Sequence, residues 1–481
     1  MLDRSTGSIH HARSPLRAHR RRRREDPIVA AVRGTRPDIV LVHGHDLGRW
    51  LTVYGMPSVP SPQIQAFADR SVVFDNAHAA APLCSPARAS LFTGLVPHRH
   101  GVQGLAHHQW RYRHGVLTAP EHLRPLGYRS TLIGLQHENA DSSVLGFDEV
   151  GGVGFLPRAH QVVDASSAWL DSVTPRSERE PLFLTVGVWE VHRPWPAEDY
   201  TPADPAEVHV PDYLPDNADT REDIAAFHGS IAQFDDAMGA LFRRIDEALD
   251  PATTMIVFTT DHGAAFPRAK STLYDAGTGV AFIVRPPTSW GVAPGRRQQL
   301  VSHLDIVPTL LELAGGDVDA GLEGESLLPV LTEGAEDDAR ALVTVKSHHD
   351  AYDPMRAVRT REYAYIRNFA AGPKLTLSLD LENSPTRRGM GDAHLEPRPR
   401  EELYDRRTDP DETTNVADRP EYGAVLAAFA DTLDHWMDDT DDPVRRDEVE
   451  VPVHRDREVD ALPAVAPVAA PHPTISLTGT N

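Results

Sequence analysis

Ile39-Val40-Leu41-Val42-His43-Gly44-His45-Asp46 is an uninterrupted apolar run that stops on polar side chains able to ligate or ionise. Four apolar residues in a row, without alternation, suit a strand covered on both faces, as in a parallel sheet flanked by helices. The pattern recurs. Thr131-Leu132-Ile133-Gly134-Leu135 leads into Gln136-His137-Glu138, and Leu182 to Val188 leads into Trp189-Glu190-Val191-His192. Met255 to Thr259 leads into Thr260-Asp261-His262-Gly263. In open α/β sheets, ligands bind beyond the carboxyl ends of the strands. Four strands are therefore predicted to bring His and Asp to one sheet edge. Core packing does not account for such convergence, because unpaired polar groups are costly to bury. The expected fold class is α/β, with a mostly parallel central sheet sandwiched by helices.

The intervening segments support this reading. Ile224, Phe227, Ile231, Phe234, Met238, Leu241 and Ile245 have helical spacing and predict a long helix over 220–249. Val301 to Ala314 predicts another, stopped by Gly315-Gly316. From about residue 336 the pattern changes. Leu342–Val345, Met355–Arg359, Tyr363–Ile366 and Leu375–Leu379 read as short antiparallel strands, followed by a helix around 420–438. The expected organisation is a basic tail over 1–35, a larger α/β domain over 36–335, a smaller C-terminal α+β domain with an antiparallel sheet over 336–440, and a tail over 441–481.

The chain has 481 residues, ample for a large core, and a net charge of −22. Its surface as a whole repels anions, so an anionic ligand needs a local positive site. Lys270, Lys346 and Lys374 are its only lysines. No apolar stretch follows the Arg20–Arg24 run of the kind a secretory signal needs, and no segment is apolar enough to span a bilayer. A cytoplasmic protein with no membrane or nucleic-acid partner is expected. The arginine run reads as a solvated tail in preference to a nucleic-acid contact.

One cysteine occurs, in Leu83-Cys84-Ser85-Pro86-Ala87-Arg88-Ala89-Ser90-Leu91-Phe92-Thr93-Gly94. A lone thiol makes no internal disulfide and no multi-thiolate zinc site, so Cys84 is either a small buried hydrophobe or a chemical group. Pro86 suits the first turn of a helix and Gly94 its end, which places Cys84 at a helix N-terminus, where free N–H groups attract anions. Arg88 lies one turn along the same face.

Cys84-x-Pro86-x-Arg88, continued by Thr93-Gly94-Leu95 and Pro97-His98-Arg99-His100-Gly101-Val102, resembles the signature of the type I sulfatases, in the alkaline phosphatase superfamily. The resemblance runs over roughly residues 36 to 440. It implies that Cys84 is converted to formylglycine by a formylglycine-generating enzyme, and that the hydrated aldehyde attacks sulfur. It also implies one divalent metal ion, calcium in most members, held by the formylglycine and by carboxylates at the ends of two strands. Asp46 and Asp261 with His262 match those positions; His45 stands where a second carboxylate is usual. Imidazole suits manganese or zinc better than calcium, unless His45 does not touch the metal. Lys270, in Lys270-x-Thr272-x-Tyr274-Asp275-x-Gly277, matches the lysine that contacts sulfate. His192 matches the histidine that protonates the leaving group, and His137 the one that helps expel sulfate. The lysine usual two residues before His137 is replaced by Leu135.

Within the family, His45-Asp46-Leu47-Gly48-Arg49 and Tyr352-Asp353-Pro354-Met355-Arg356-Ala357-Val358-Arg359 look most like the heparan N-sulfatase (N-sulfoglucosamine sulfohydrolase) branch. His348, His349 and Arg356 either line a substrate mouth or are ordinary strand-end residues. The expected activity is hydrolysis of a sulfate ester or sulfamate, with a sulfated sugar as a candidate substrate. In that scheme Arg88 joins the metal and Lys270 in stabilising the oxyanion. Two alternatives stand: a phosphonate or phosphate-diester hydrolase on the same fold, or a catalytically silent protein that binds sulfated glycans.

Overall fold

The computed structural model describes residues 32, 34–153, 157–173, 180–318, 321–334 and 336–446. Most of the expected tails, 1–35 and 441–481, lies outside the described residues. Twelve strands form two sheets among the described residues. The first comprises β1 (Asp38–Gly44), β2 (Val72–His78), β3 (Arg129–Gly134), β4 (Glu149–Gly151), β5 (Leu182–Gly187), β6 (Thr254–Thr260), β7 (Phe282–Arg285) and β8 (Gly295–Ser302). Its order is β4-β3-β5-β1-β6-β7-β2-β8. All neighbours pair in parallel except β7, which runs antiparallel to β6 and β2.

β3, β5, β1 and β6 are adjacent and parallel. These are the four strands whose sequences end in His and Asp, so their loops emerge side by side. Every residue of β1, β5 and β6 is buried, as continuous apolar runs require. The long helix spans Ala218–Ala248, capped by the Asn217 side chain accepting from the Thr220 N–H at 3.0 Å. Its Phe227, Phe234, Met238 and Leu241 cover one sheet face together with the Ala159–Val173 helix. The Cys84–Thr93 and Ile306–Ala314 helices cover the other.

The predicted helix over Val301–Ala314 begins later than expected. Val301 and Ser302 finish β8, and a capping box of Ser302 and Asp305 then turns the chain before the helix starts at Ile306.

The second sheet contains β9 (Leu342–His348), β10 (Tyr352–Arg359), β11 (Tyr363–Asn368) and β12 (Glu401–Asp405), antiparallel throughout in the order β12-β11-β10-β9. The expected strand at Leu375–Leu379 is not one. The Lys374 and Leu375 N–H groups donate to Glu396 O and His394 O, but the residues that would continue this antiparallel pairing, Ala393–Leu395, form a 3-10 turn and offer no extended partner. β12 takes the fourth place instead. The Gly423–Asp439 helix packs Leu433, Trp436 and Met437 against Val345, Val358 and Tyr365.

Charged pairs fasten the two sheets. Asp275 accepts from Arg49 at 2.8 Å and from Arg406 at 2.7 Å, and its N–H donates to Glu412, which also pairs with Arg359. Arg356 is fully buried. It binds Asp442 at 2.6 and 2.9 Å and donates to Lys346 O and Ser347 Oγ. Arg356 is thus an anchor inside the smaller sheet and does not line a substrate mouth. Asp442 and Val444 are buried too, so packed structure continues past residue 440.

Removing one partner of such a buried pair leaves an uncompensated charge. Asp442→Ala is expected to destabilise the protein by about 3–5 kcal/mol in denaturant titration. A change within ~0.5 kcal/mol, typical of neutral surface substitutions, would refute the anchoring role.

Candidate active site

The loops after β1, β5 and β6 are stitched together by their own backbones. His45 N–H donates to Glu190 O at 3.2 Å, Val191 N–H to His45 O at 2.9 Å, and Gly48 N–H to His262 O at 2.8 Å. At Gly48 the φ is +56°, and an added Cβ would lie 3.0 Å from the Gly263 Cα. Glycine therefore permits the close approach of two ligand-bearing loops.

Asp261 is the joint of the site. Its Oδ1 accepts from the Asp46 and His262 N–H groups, each at 2.9 Å. Its Oδ2 accepts from Arg88 Nε at 3.2 Å and Nη2 at 3.0 Å, and lies 3.3 Å from His45 Nδ1. Asp46 Oδ1 meets His45 Nδ1 at 2.9 Å and His262 Nε2 at 3.1 Å; its Oδ2 receives Lys270 Nζ at 2.7 Å. Burial raises the affinity of both carboxyls for protons. The surrounding cations outweigh it, Lys270 foremost for Asp46 and His262 for Asp261, and hold both groups below the usual carboxylate range.

Cys84 opens its helix, as expected from Pro86 and from Gly94, which closes it at φ +67°. Its Sγ lies 3.5 Å from His262 Nε2. Burial pushes the thiol up, but Lys270, His45 and a hydrogen bond from His137 more than offset this and hold it well below an ordinary thiol.

Arg88 is fully buried, and its donors go to Asp261, to Gly44 O at 3.1 Å and to His43 Nδ1 at 2.6 Å. The expectation that its guanidinium faces the substrate anion gives way to a positioning role, because four of its five N–H donors already meet protein acceptors.

His192 stands at the open side. Its side chain is 17% exposed, its Nε2 is 3.4 Å from Lys270 Nζ, and its ring stacks on Trp189 at 4.2 Å. Burial, with Lys270 and His45 adding to it, lowers its pKa to about 4. His137 stacks on His107 at 5.7 Å. His348 packs between Trp110 and Tyr352, and His349 Nδ1 meets Asp350 at 2.6 Å.

Sequence reasoning missed Asp380, Trp189 and His107. Asp380 Oδ2 receives Lys270 Nζ at 2.7 Å. It lies between β11 and β12 of the smaller sheet in sequence, and no local pattern marks Ser378-Leu379-Asp380-Leu381 as part of the site.

His45, Asp46, Cys84, Asp261 and His262 each present one ligand atom, and these five atoms lie within 4.8 Å of one another, all on buried residues. Two carboxylates, two imidazoles and a sulfur gathered so closely are a donor set fit for one divalent cation. His45 Nε2 is buried without a hydrogen-bond partner, which leaves Nδ1 as the ring atom facing the cluster.

Known proteins point the same way. The sulfatase family model matches residues 37–316, and the model of the N-sulphoglucosamine sulphohydrolase C-terminal region matches residues 266–390. Human N-sulphoglucosamine sulphohydrolase (Homo sapiens) is 29% identical over 449 residues, covering 81% of this chain and 88% of the relative.

Two solved structures share the fold. One is a protein in complex with its substrate D-glucosamine-2-N,6-O-disulfate (TM-score 0.66, 17% identity, 86% of this chain and 100% of the other). The second is the phosphonate monoester hydrolase of Agrobacterium radiobacter (TM-score 0.65, 19% identity, 86% and 96%). At those identities they speak to architecture alone. The sulfatase match, which takes in more than half of the 481 residues and includes the cysteine helix and all four strand ends that carry His or Asp, places this chain in the sulfatase family.

Proposed function

We propose that this sulfatase cleaves the sulfate ester or sulfamate of a sulfated sugar, using Cys84 matured to formylglycine and one divalent cation held by His45, Asp46, Asp261 and His262. The observation that carries the reading is the placement of Cys84: a helix N-terminus inside the cluster formed by both carboxylates and His262. The match to human N-sulphoglucosamine sulphohydrolase supports a sulfated amino sugar as substrate.

Cys84 is 2% exposed. A maturation enzyme therefore reaches it only before the chain folds.

The hydrated aldehyde carries two hydroxyls on one carbon. One hydroxyl gives its proton up to solvent, and its oxygen bonds to sulfur as the bond from sulfur to the leaving oxygen or nitrogen breaks. His192 gives that leaving atom a proton. At rest its ring is neutral; an arriving sulfate offsets Lys270 and favours the imidazolium. The second hydroxyl then yields its proton to His137, its electron pair forms the C=O bond, and the C–O bond to the sulfate breaks. Sulfate departs and water rehydrates the aldehyde. Lys270 steadies the sulfate oxygens. The cation, when bound, would withdraw electron density from those oxygens and favour ionisation of the diol.

Mass spectrometry of the peptide spanning Cys84, from protein made in its native host, is expected to show the aldehyde; an unmodified thiol would favour a silent binding protein. Cys84→Ser has only one hydroxyl and cannot expel its sulfate, so turnover is expected to fall on the order of 10³-fold or more. Cycling at the wild-type rate would sink the aldehyde mechanism.

Chelation is expected to abolish activity, with calcium, manganese or zinc ions restoring it when added singly. Asp261→Asn is expected to weaken cation affinity, read by calorimetry, by ~100-fold. Full activity after exhaustive chelation would remove the cation from the scheme.

A further inference from the structure

Lys270 carries an ammonium shared by two carboxylates. Its Nζ lies 2.7 Å from Asp46 Oδ2 and 2.7 Å from Asp380 Oδ2. An ammonium has three donors, so two are committed to anions before any substrate arrives. The two carboxylates differ in setting. Asp46 is sealed at 0% exposure, whereas Asp380 is 20% exposed. Asp380, His192 and Asp46 also offer atoms within 4.8 Å of one another. Asp380 thus borders the open side of the site, next to the ring that faces a leaving group.

The segment holding Asp380 is fixed. Leu379 N–H donates to Asp350 Oδ2 at 3.0 Å, Asp350 pairs with His349 at 2.6 Å, and Glu382 N–H donates to Ser378 O at 3.1 Å. Leu135, at the end of β3, is buried and supplies no charge to the site. Arg88 is already paired with Asp261. The leaving-group side of the site therefore presents an anchored carboxylate with lone pairs to spare, where an unopposed cation would suit a polysulfated ligand better.

A carboxylate accepts hydrogen bonds and repels other anions. Resting on the sulfatase reading above, we infer that Asp380 is a specificity residue that reads the substituent next to the scissile bond. It accepts a hydrogen bond from a hydroxyl or ammonium there, and it rejects a second sulfate or a carboxylate at that place. The substrate class is a sulfate ester or sulfamate of a sugar whose vicinal position carries a donor.

The test uses the full-length, formylglycine-bearing protein. Glucosamine N-sulfate and glucosamine 2-N,3-O-disulfate differ only in a hydroxyl or a sulfate vicinal to the N-sulfate. Each is measured as an inhibitor of 4-nitrophenyl sulfate turnover, so the comparison stands whether or not the sugar itself is cleaved. Wild type is expected to bind the monosulfate at least ~10-fold more tightly than the disulfate. Asp380→Asn is expected to bring the two within about threefold of each other, and to bind inorganic sulfate more tightly because a Lys270 donor is released. Asp380→Glu, which keeps the charge, is expected to retain the preference. The ratio is taken within one preparation, so a misfolded fraction cancels. An unchanged ratio in Asp380→Asn, or no inhibition by the monosulfate, overturns the proposal while 4-nitrophenyl sulfate turnover leaves the sulfatase reading intact. Failure to turn over 4-nitrophenyl sulfate at all overturns both.

Discussion

The pairing of Arg88 with Asp261 is the constraint on which the site depends. Arg88 comes from the first-turn face of the cysteine helix, and Asp261 from the end of a central strand. With both buried, neither charge tolerates separation from the other. Their contact fixes the height of the helix against the sheet edge, and hence where Cys84 stands. Asp261 then spends its other oxygen on the backbone N–H groups of Asp46 and His262. One carboxylate so sets the positions of Cys84, of His45 and Asp46 after the first strand, and of the imidazole beside them. The Gly44 and His43 contacts of Arg88 extend the same joint down into β1.

Strand topology explains why such a joint can form. β3, β5, β1 and β6 lie side by side and point the same way, so four chain segments far apart in sequence end within one small volume. Parallel strands leave their polar loops at a common edge while their apolar bodies fill the core on both faces. The −22 net charge of the chain does not govern this volume. Its local field is set by Lys270, Arg88 and the histidines against the three carboxylates of Asp46, Asp261 and Asp380.

Much of this was legible in the sequence, and for identifiable reasons. Uninterrupted apolar runs ending on His or Asp, as at Val42 and Phe258, announce buried parallel strands and their functional ends together. The cysteine helix carries its own start and stop in Pro86 and Gly94. What escaped the reading depends on partners distant in the chain. Arg356 looks like a strand-end cation until Asp442 is folded onto it, 86 residues away. Leu375–Leu379 has the composition of a strand, but the segment that would pair with it, Ala393–Leu395, is a 3-10 turn and gives it no ladder. Asp380 has no neighbour in sequence that explains it; only folding brings it to Lys270, 110 residues away. Val301–Ala314 looks like one element in sequence because apolar spacing alone does not show the Ser302–Asp305 box that divides it.

Leu135 draws these threads together. Its N–H donates to Gly187 O at 2.8 Å, so the backbone continues the β3–β5 pairing, and its side chain is buried in place of the cation the family resemblance leads one to expect. With Lys270 held between two carboxylates, the chain's own side chains leave little fixed positive charge over for the sulfate, beyond what a bound cation would add. A weak side-chain hold on the group being transferred need not lower kcat, since binding that is equal in ground and transition states does not raise it. It does shift the burden of recognition. On the proposed reading, discrimination between substrates falls to the part of the molecule that leaves, and the groups at the open side of the site are His192, its stacking partner Trp189, and Asp380.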